Sequence, residues 1–333
     1  MVINSEGMDL ADLGGKESFT AMEAFWKKIG ITDLKYIESS HMNLSWFGKM
    51  DGAEVVCQLG PELPKVLQEN GWYLHVTNYF SPKKYDDAKE ICEYAKSVGI
   101  PCPQILLSGI LDNKSWCVAE KAEGVSLDTI WDKIDLTKQK SILEQLGGCL
   151  AKLHSYEFVE KGYEPDKWYM QKIECIWNNL LKAGIYELKD MKIIKKPQIF
   201  NAYHYLPPVL TLTHNDILQK NILVDPKSLK IKSIIDWETA GVGDPHSDLL
   251  LGAWWFSGEY GGNEELYEAM LNGYNKNIIN KKLCLSLEKA KQINLYMDML
   301  WYLNILWVRK VMGDDSQIER RKGMVEKILK ELK

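Results

Sequence analysis

Residues 211–240 read Thr-Leu-Thr-His-Asn-Asp-Ile-Leu-Gln-Lys-Asn-Ile-Leu-Val-Asp-Pro-Lys-Ser-Leu-Lys-Ile-Lys-Ser-Ile-Ile-Asp-Trp-Glu-Thr-Ala. Asp216, Asn221 and Asp236 stand in this stretch at spacings of five and fifteen residues. The β-branched runs Ile222-Leu223-Val224 and Lys230 to Ile235 flank Asp-Pro-Lys-Ser, a turn composition, so the segment predicts a β-hairpin. Centring the turn between Lys227 and Ser228 sets Asn221 opposite Ile234. Asp236, two residues beyond Ile234, then emerges on the same face by the period-two rule. An acid, an amide and a second acid so placed suit metal-assisted phosphoryl transfer. Asp216 orients an incoming hydroxyl and accepts its proton, while Asn221 and Asp236 hold a Mg2+ ion that bridges the terminal phosphates.

Composition sets the frame around the hairpin. The chain has 333 residues, 46% hydrophobic and 26% charged, which is enough for a large core in two lobes. A net charge of −5 argues against nucleic acid and permits a cationic small-molecule partner. The seven cysteines form no Cys-x-x-Cys and no framework spacing, so reduced thiols and a cytoplasmic location are expected. Met1 to Lys16 carries acids and glycines where a secretory leader needs an apolar run. Ile293 to Val308 is broken by Asn294, Asp298 and Asn304 and predicts a buried helix, so no membrane partner is expected.

Periodicity predicts a helix over 19–29 and strands at 34–37, 44–47, 54–59 and 72–78. A helix over 85–98 is stopped by Gly99, and strands at 105–111 and 115–121 follow. Beyond Gly124 the pattern turns helical, over 138–156, 166–183, 263–274, 286–310 and 312–333. The fold class expected is α+β, with a small antiparallel-sheet N-lobe over 1–120, a hinge at 121–125 and a larger helical C-lobe over 126–333 carrying the catalytic hairpin.

His-Asn-Asp-x-x-x-x-Asn at 214–221, followed by Ile-Ile-Asp-Trp-Glu at 234–238, resembles the catalytic segment of the aminoglycoside phosphotransferase and choline kinase superfamily. Gly99 to Pro103, Val118 to Gly124, Leu150 to His154 and Gly243 to Leu249 are similar to further family segments, in the family's order. The resemblance implies a protein-kinase-like two-lobe fold and an ATP- and Mg2+-dependent phosphotransferase, with GTP as the alternative donor. The expected acceptor is a hydroxyl of an aminoglycoside-type antibiotic, the alternatives being choline, ethanolamine or a sugar. A catalytically weak pseudoenzyme that binds a nucleotide or another ligand is the reading from another class, and monomer or homodimer the assembly expected.

The resemblance also assigns roles. The backbone of Glu120, Lys121 and Ala122 faces adenine, with Leu223 and Ile235 flooring and backing the base. The family's third N-lobe strand carries a Lys or Arg that clamps the phosphates. Aligning residues 71–76 to that strand places His75 there, with Lys49 or Lys65 as alternatives. The helical acid that pairs with the clamp falls at Asp86, Asp87 or Glu90. Glu238, Trp254, Glu259 and Trp301 are candidate substrate contacts, since acids suit ammonium groups and aromatic faces suit quaternary ones; Trp254 and Trp301 have a core role as the alternative. Asp244 and Asp248 are expected to bond loop N–H groups, and His214 to brace the catalytic loop.

Overall fold

The computed structural model describes residues 16–37, 43–60, 83–158, 174, 176–186, 209–257, 263–311 and 315–331. The N-terminal part is a meander of β1 (Thr32–Tyr36), β2 (Leu44–Met50) and β3 (Ala53–Leu59), continued by β4 (Ile105–Leu111) and β5 (Lys114–Glu120). All neighbours are antiparallel, in the order β1-β2-β3-β5-β4. Alternation along β3 decides what the sheet faces. Val55, Cys57 and Leu59 are buried with Trp26 and Met22 of helix α1 (Lys16–Lys28). The odd face so used leaves Val56 and Gln58 turned to the other side, where Gln58 meets Cys117 of β5. Helix α2 (Lys84–Ser97) packs its Tyr85, Ala88, Ile91 and Cys92 into the core on that side.

Among the described residues the third strand of the sheet is β3. The stretch 71–76, the strand expected at 72–78, His75 and Lys65 all lie outside the described residues. So does the helix expected at 166–183, apart from 174 and the helical turn at 176–182.

After β5 the chain passes Gly124 into β6 (Val125–Ser126), which pairs with β9 (Ile222–Val224). Gly124 has φ +117°, and a Cβ there would stand 3.0 Å from the Val224 carbonyl oxygen and 3.2 Å from the Leu223 Cβ. Only glycine combines that backbone with so close an approach. The connection between the two halves is thereby laid directly on the hairpin of β9 and β10 (Ile231–Ile234). A third small sheet joins β7 (Glu157–Phe158), β8 (Leu210–Thr213) and β11 (Gly241–Gly243).

The remaining elements are helices: α3 (Leu136–Leu153), α4 (Pro245–Ser257), α5 (Glu264–Asn277), α6 (Leu287–Val311) and α7 (Ile318–Glu331). Asp135 caps α3 by accepting from the Lys138 N–H, and Asn263 caps α5 through the N–H groups of Glu265 and Leu266. The α3 and α5 backbones touch. A Cβ on Gly147 would lie 2.2 Å from the Met270 carbonyl oxygen, and one on Gly273 2.1 Å from that of Glu144. No helix among the described residues is long and apolar enough to cross a membrane.

Alanine favours a helix over glycine by about 1 kcal/mol, whereas overpacking costs about 1–3 kcal/mol and here the obstructing atoms are backbone. Gly273→Ala is thus expected to lower the melting temperature by several degrees in a thermal scan. An unchanged or higher value would show that the two helices are not in backbone contact.

Candidate active site

Asp216 follows β8 and a sharp left-handed residue, Asn215, at φ +66°. Its Oδ2 accepts a hydrogen bond from Asn221 Nδ2 at 2.7 Å, and the same nitrogen donates to the Asp216 carbonyl at 2.9 Å. The amide hydrogens of Asn221 are directed at Asp216, and its Oδ1 makes no hydrogen bond among the described residues. A 3-10 turn over Gln219–Asn221 carries the amide there, held by Ser126 of β6 through the Lys220 carbonyl at 3.0 Å.

The hairpin register differs by one residue from the expected one. Ile222 pairs with Ile234 and Leu223 with Ser233, and the Ile235 N–H donates to the Asn221 carbonyl at 2.9 Å. An irregularity between Ile231 and Ser233 takes up the extra residue. By alternation alone this slip would turn Asp236 away from Asn221. Asp236 leaves the strand in a left-handed conformation, φ +70° and ψ +52°, so strand alternation no longer governs its side chain. Its carboxyl lies in the field of both Asp216 and Glu238.

That crowding shows in the protonation equilibria. Burial first, then the charges of Glu238 and Asp216, push Asp236 up to about 8, against the opposing pull of Lys220 and Lys84. Asp216 is also raised, mainly by burial, while Lys220, His214 and the Asn221 hydrogen bond oppose the shift.

A second carboxylate fixes the loop. Asp248, on α4, accepts the backbone N–H groups of His214 and Asn215 and faces His154 Nε2 at 3.3 Å. Burial disfavours its charge, yet His154 and the His214 group hold it below the usual carboxylate range. His214 Nδ1 accepts from the Asp216 N–H at 3.2 Å, which leaves Nε2–H to donate to the Ile235 carbonyl at 3.0 Å. Burial lowers the pKa of this imidazole, so it is a neutral brace between the two catalytic segments. Asn215 Nδ2 to the Thr239 carbonyl and Thr239 Oγ1 to the His214 carbonyl, both 2.9 Å, complete the tie. Asp244 accepts the His246 N–H at 2.8 Å at the start of α4.

The other expected residues divide. At the connection between lobes, the Glu120 N–H donates to Gln104 and the Lys121 N–H to Glu54, so Ala122 is the residue of the three whose N–H makes no hydrogen bond among the described residues. Leu223 is buried on β9 and Ile235 half-buried beside it. Glu238, expected at the substrate, is instead buried and accepts from Lys84 Nζ at 2.7 Å, Asn43 Nδ2 at 2.7 Å and Tyr85 OH at 3.1 Å. Three donors of the N-terminal part thus occupy the carboxylate that a cationic substrate was expected to meet. Lys49, an alternative clamp, pairs with Asp33 of β1 at 2.9 Å on an exposed part of the sheet. Asp86, Asp87 and Glu90 face solvent on α2, Asp86 accepting from Ser108. Glu259 and the side chains of Trp254 and Trp301 lie outside the described residues, while Trp307 is core.

Sequence reasoning did not single out Lys84 or Lys220. The position of Lys220 between Asp216 and Asn221 was a usable signal. Lys84 gave none, because its partner is 154 residues away.

The fold is that of two-lobed kinases, an antiparallel sheet with one helix over a helical body, with an acid–amide–acid set at their junction. The chain belongs to the APH phosphotransferase enzyme family, whose model matches residues 66–280. It is 36% identical over 200 residues to a probable aminoglycoside 3'-phosphotransferase of Lactococcus lactis subsp. lactis, a match covering 56% of this chain and 69% of that one. It is 24% identical over 168 residues to the aminoglycoside 3'-phosphotransferase of Streptomyces fradiae, over 48% of this chain and 60% of that enzyme's length. Among solved structures it resembles a thermostable mutant of aminoglycoside phosphotransferase APH(4)-Ia in ternary complex with ADP and hygromycin B. That match has a TM-score of 0.59 and 14% identity, and covers 92% of this chain and 97% of the other.

The shift of Asp236 has a consequence for stability. Its folded pKa of about 8 lies above the unfolded value near ~3.9, so between these limits the folded protein holds a proton that the unfolded chain has released. Its contribution to stability therefore falls as pH rises through that window. Asp236→Asn is expected to raise the melting temperature by roughly 2–5 °C at pH 8 and to change it little at pH 5. A variant no more stable than the parent at pH 8 would remove the crowding of carboxylates.

Proposed function

We propose that the protein transfers the terminal phosphoryl group of ATP to a hydroxyl of an aminoglycoside-type small molecule, with Mg2+ as cofactor. The observation that carries this reading is the Asp216 carboxylate, held by Asn221 at 2.7 Å and sharing one partly buried cleft with Asp236. Family membership and the aminoglycoside phosphotransferases among its relatives support the substrate class.

The residues fit a magnesium ion. Asn221 Oδ1 and the Asp236 carboxylate offer hard oxygen donors, and Asp236 is raised to about 8 by burial first and then by the charges of Glu238 and Asp216, which a cation would offset. Among the described residues no three His, Cys, Asp or Glu side chains converge on a metal position. Magnesium needs none, because it binds through one or two carboxylates together with substrate phosphates and water. Bound there, it supplies neutralisation of charge on the transferring phosphates.

Asp216 does the remaining chemistry. Its Oδ2 is fixed by Asn221, so the carboxylate can orient a substrate hydroxyl and accept its proton. The raised pKa makes it a better proton acceptor than an exposed aspartate. His214 keeps the loop in place without competing for the proton, since its Nδ1 is engaged by the Asp216 N–H. The Ala122 N–H is the hinge donor placed to meet adenine, with Leu223 and Ile235 against the base. Positioning and electrostatics carry the rate.

Turnover of ATP against a panel of aminoglycosides, hygromycin B, choline and ethanolamine tests the acceptor class. Consumption only with an aminoglycoside is the expected result, and consumption only with choline or ethanolamine would reassign it. Asp216→Asn is expected to lower kcat by at least about 100-fold while ATP binding, read by fluorescence titration, stays within a factor of two or so. Retained turnover in that variant would remove Asp216 from the chemistry.

A further inference from the structure

We propose that Lys84, the first residue of α2, is the cation that binds the nucleotide's phosphates, and that Glu238 is the carboxylate that positions it. The inference rests on the phosphotransfer reading above and names a residue for it that the expected pattern does not supply. Kinases point an ammonium at the phosphates by pairing a strand lysine with a helix glutamate. Here the lysine opens the helix, and the carboxylate sits in the turn that follows Asp236. The side of β3 opposite α1 presents Glu54, Val56 and Gln58 and no cation. The acids of α2 face solvent, and the inward position at its start is a lysine. The carboxylate comes from the other half of the molecule, two residues beyond Asp236.

The geometry is that of a held ammonium. Lys84 Nζ lies 2.7 Å from Glu238 Oε2 and 3.1 Å from Asn43 Oδ1. Asn43 Nδ2 and Tyr85 OH donate to the same Oε2, at 2.7 and 3.1 Å, so the acceptor is itself fixed. Asn43 directly precedes β2, and Gly60 directly follows β3. A Cβ on Gly60 would stand 2.7 Å from Lys84 Cε and 2.9 Å from Nζ, so the bare glycine is what lets the side chain pass.

Placement relative to Asp236 supplies the function. Lys84 Nζ is held on Glu238 Oε2, two residues beyond Asp236 in the turn that Asp236 opens. With magnesium bound at Asp236, the nucleotide's phosphates would lie beside that turn, within reach of Lys84. Among the described residues Lys84 is the one buried lysine, its side chain 1% exposed, and a charge in so dry a place interacts strongly with polyphosphate. Glu238 ties the halves of the molecule through this pair, but apolar residues of the same size often stabilise as much, so holding the halves does not by itself require a lysine.

The test compares ATP, ADP and adenosine binding by calorimetry in the full chain. Lys84→Met alone strands a buried carboxylate, so the variant to measure is Lys84→Met with Glu238→Gln, beside Glu238→Gln alone and Lys84→Arg. The double variant is expected to bind ATP and ADP at least tenfold more weakly, to bind adenosine within twofold of the parent, and to lose more than Glu238→Gln alone. Lys84→Arg is expected to recover most of the lost ATP affinity. Undiminished ATP binding in the double variant, or a parallel loss for adenosine, would overturn the assignment and leave the phosphotransfer reading standing. Absence of ATP binding by the parent protein would overturn both.

Discussion

Three carboxylates, those of Asp216, Asp236 and Glu238, are drawn into one poorly solvated cleft, where their charges raise one another's cost. Lys84 and Lys220 offset part of that cost, and burial, ahead of the neighbouring charges, still holds Asp236 up at about 8. A bound cation would relieve that imbalance. Local destabilisation of this kind is the ordinary companion of a binding site, since the fold around it must hold groups that would otherwise separate.

The holding is done from outside the cleft. Asp248 collects two successive backbone N–H groups at the entry to the catalytic loop, and His214 spans from the Asp216 N–H to the Ile235 carbonyl. One buried acid and one neutral imidazole thus fix the relation of the segment bearing Asp216 to the segment bearing Asp236. Neither needs to change protonation for phosphoryl transfer, which is why burial can be used so fully on both. Glu238 does the corresponding work between the halves of the molecule, joining α2 and the start of β2 to the turn that follows Asp236.

The catalytic hairpin was legible because its information is local. Turn composition, β-branched runs and the spacing of Asp216, Asn221 and Asp236 are all contained in thirty consecutive residues, 211–240. Its register was not, since an irregularity between Ile231 and Ser233 shifts the pairing without a mark in composition. The consequence was offset by the left-handed backbone at Asp236, which composition does not reveal either. The role of Glu238 was misread for a different reason. An acid beside a catalytic segment suggests a cationic substrate, but the cation that meets it belongs to the chain itself.

The sequence by itself determined the element types, the α+β class and the acid–amide–acid set, because periodicity, turn chemistry and short-range spacing act over a few residues. The tertiary structure alone decided which strand is third in the sheet, where each carboxylate points and which lysine enters the cleft. Those depend on burial and on charge pairing between segments far apart in the chain, and the free energy of such pairs exists only once packing has excluded water from between them.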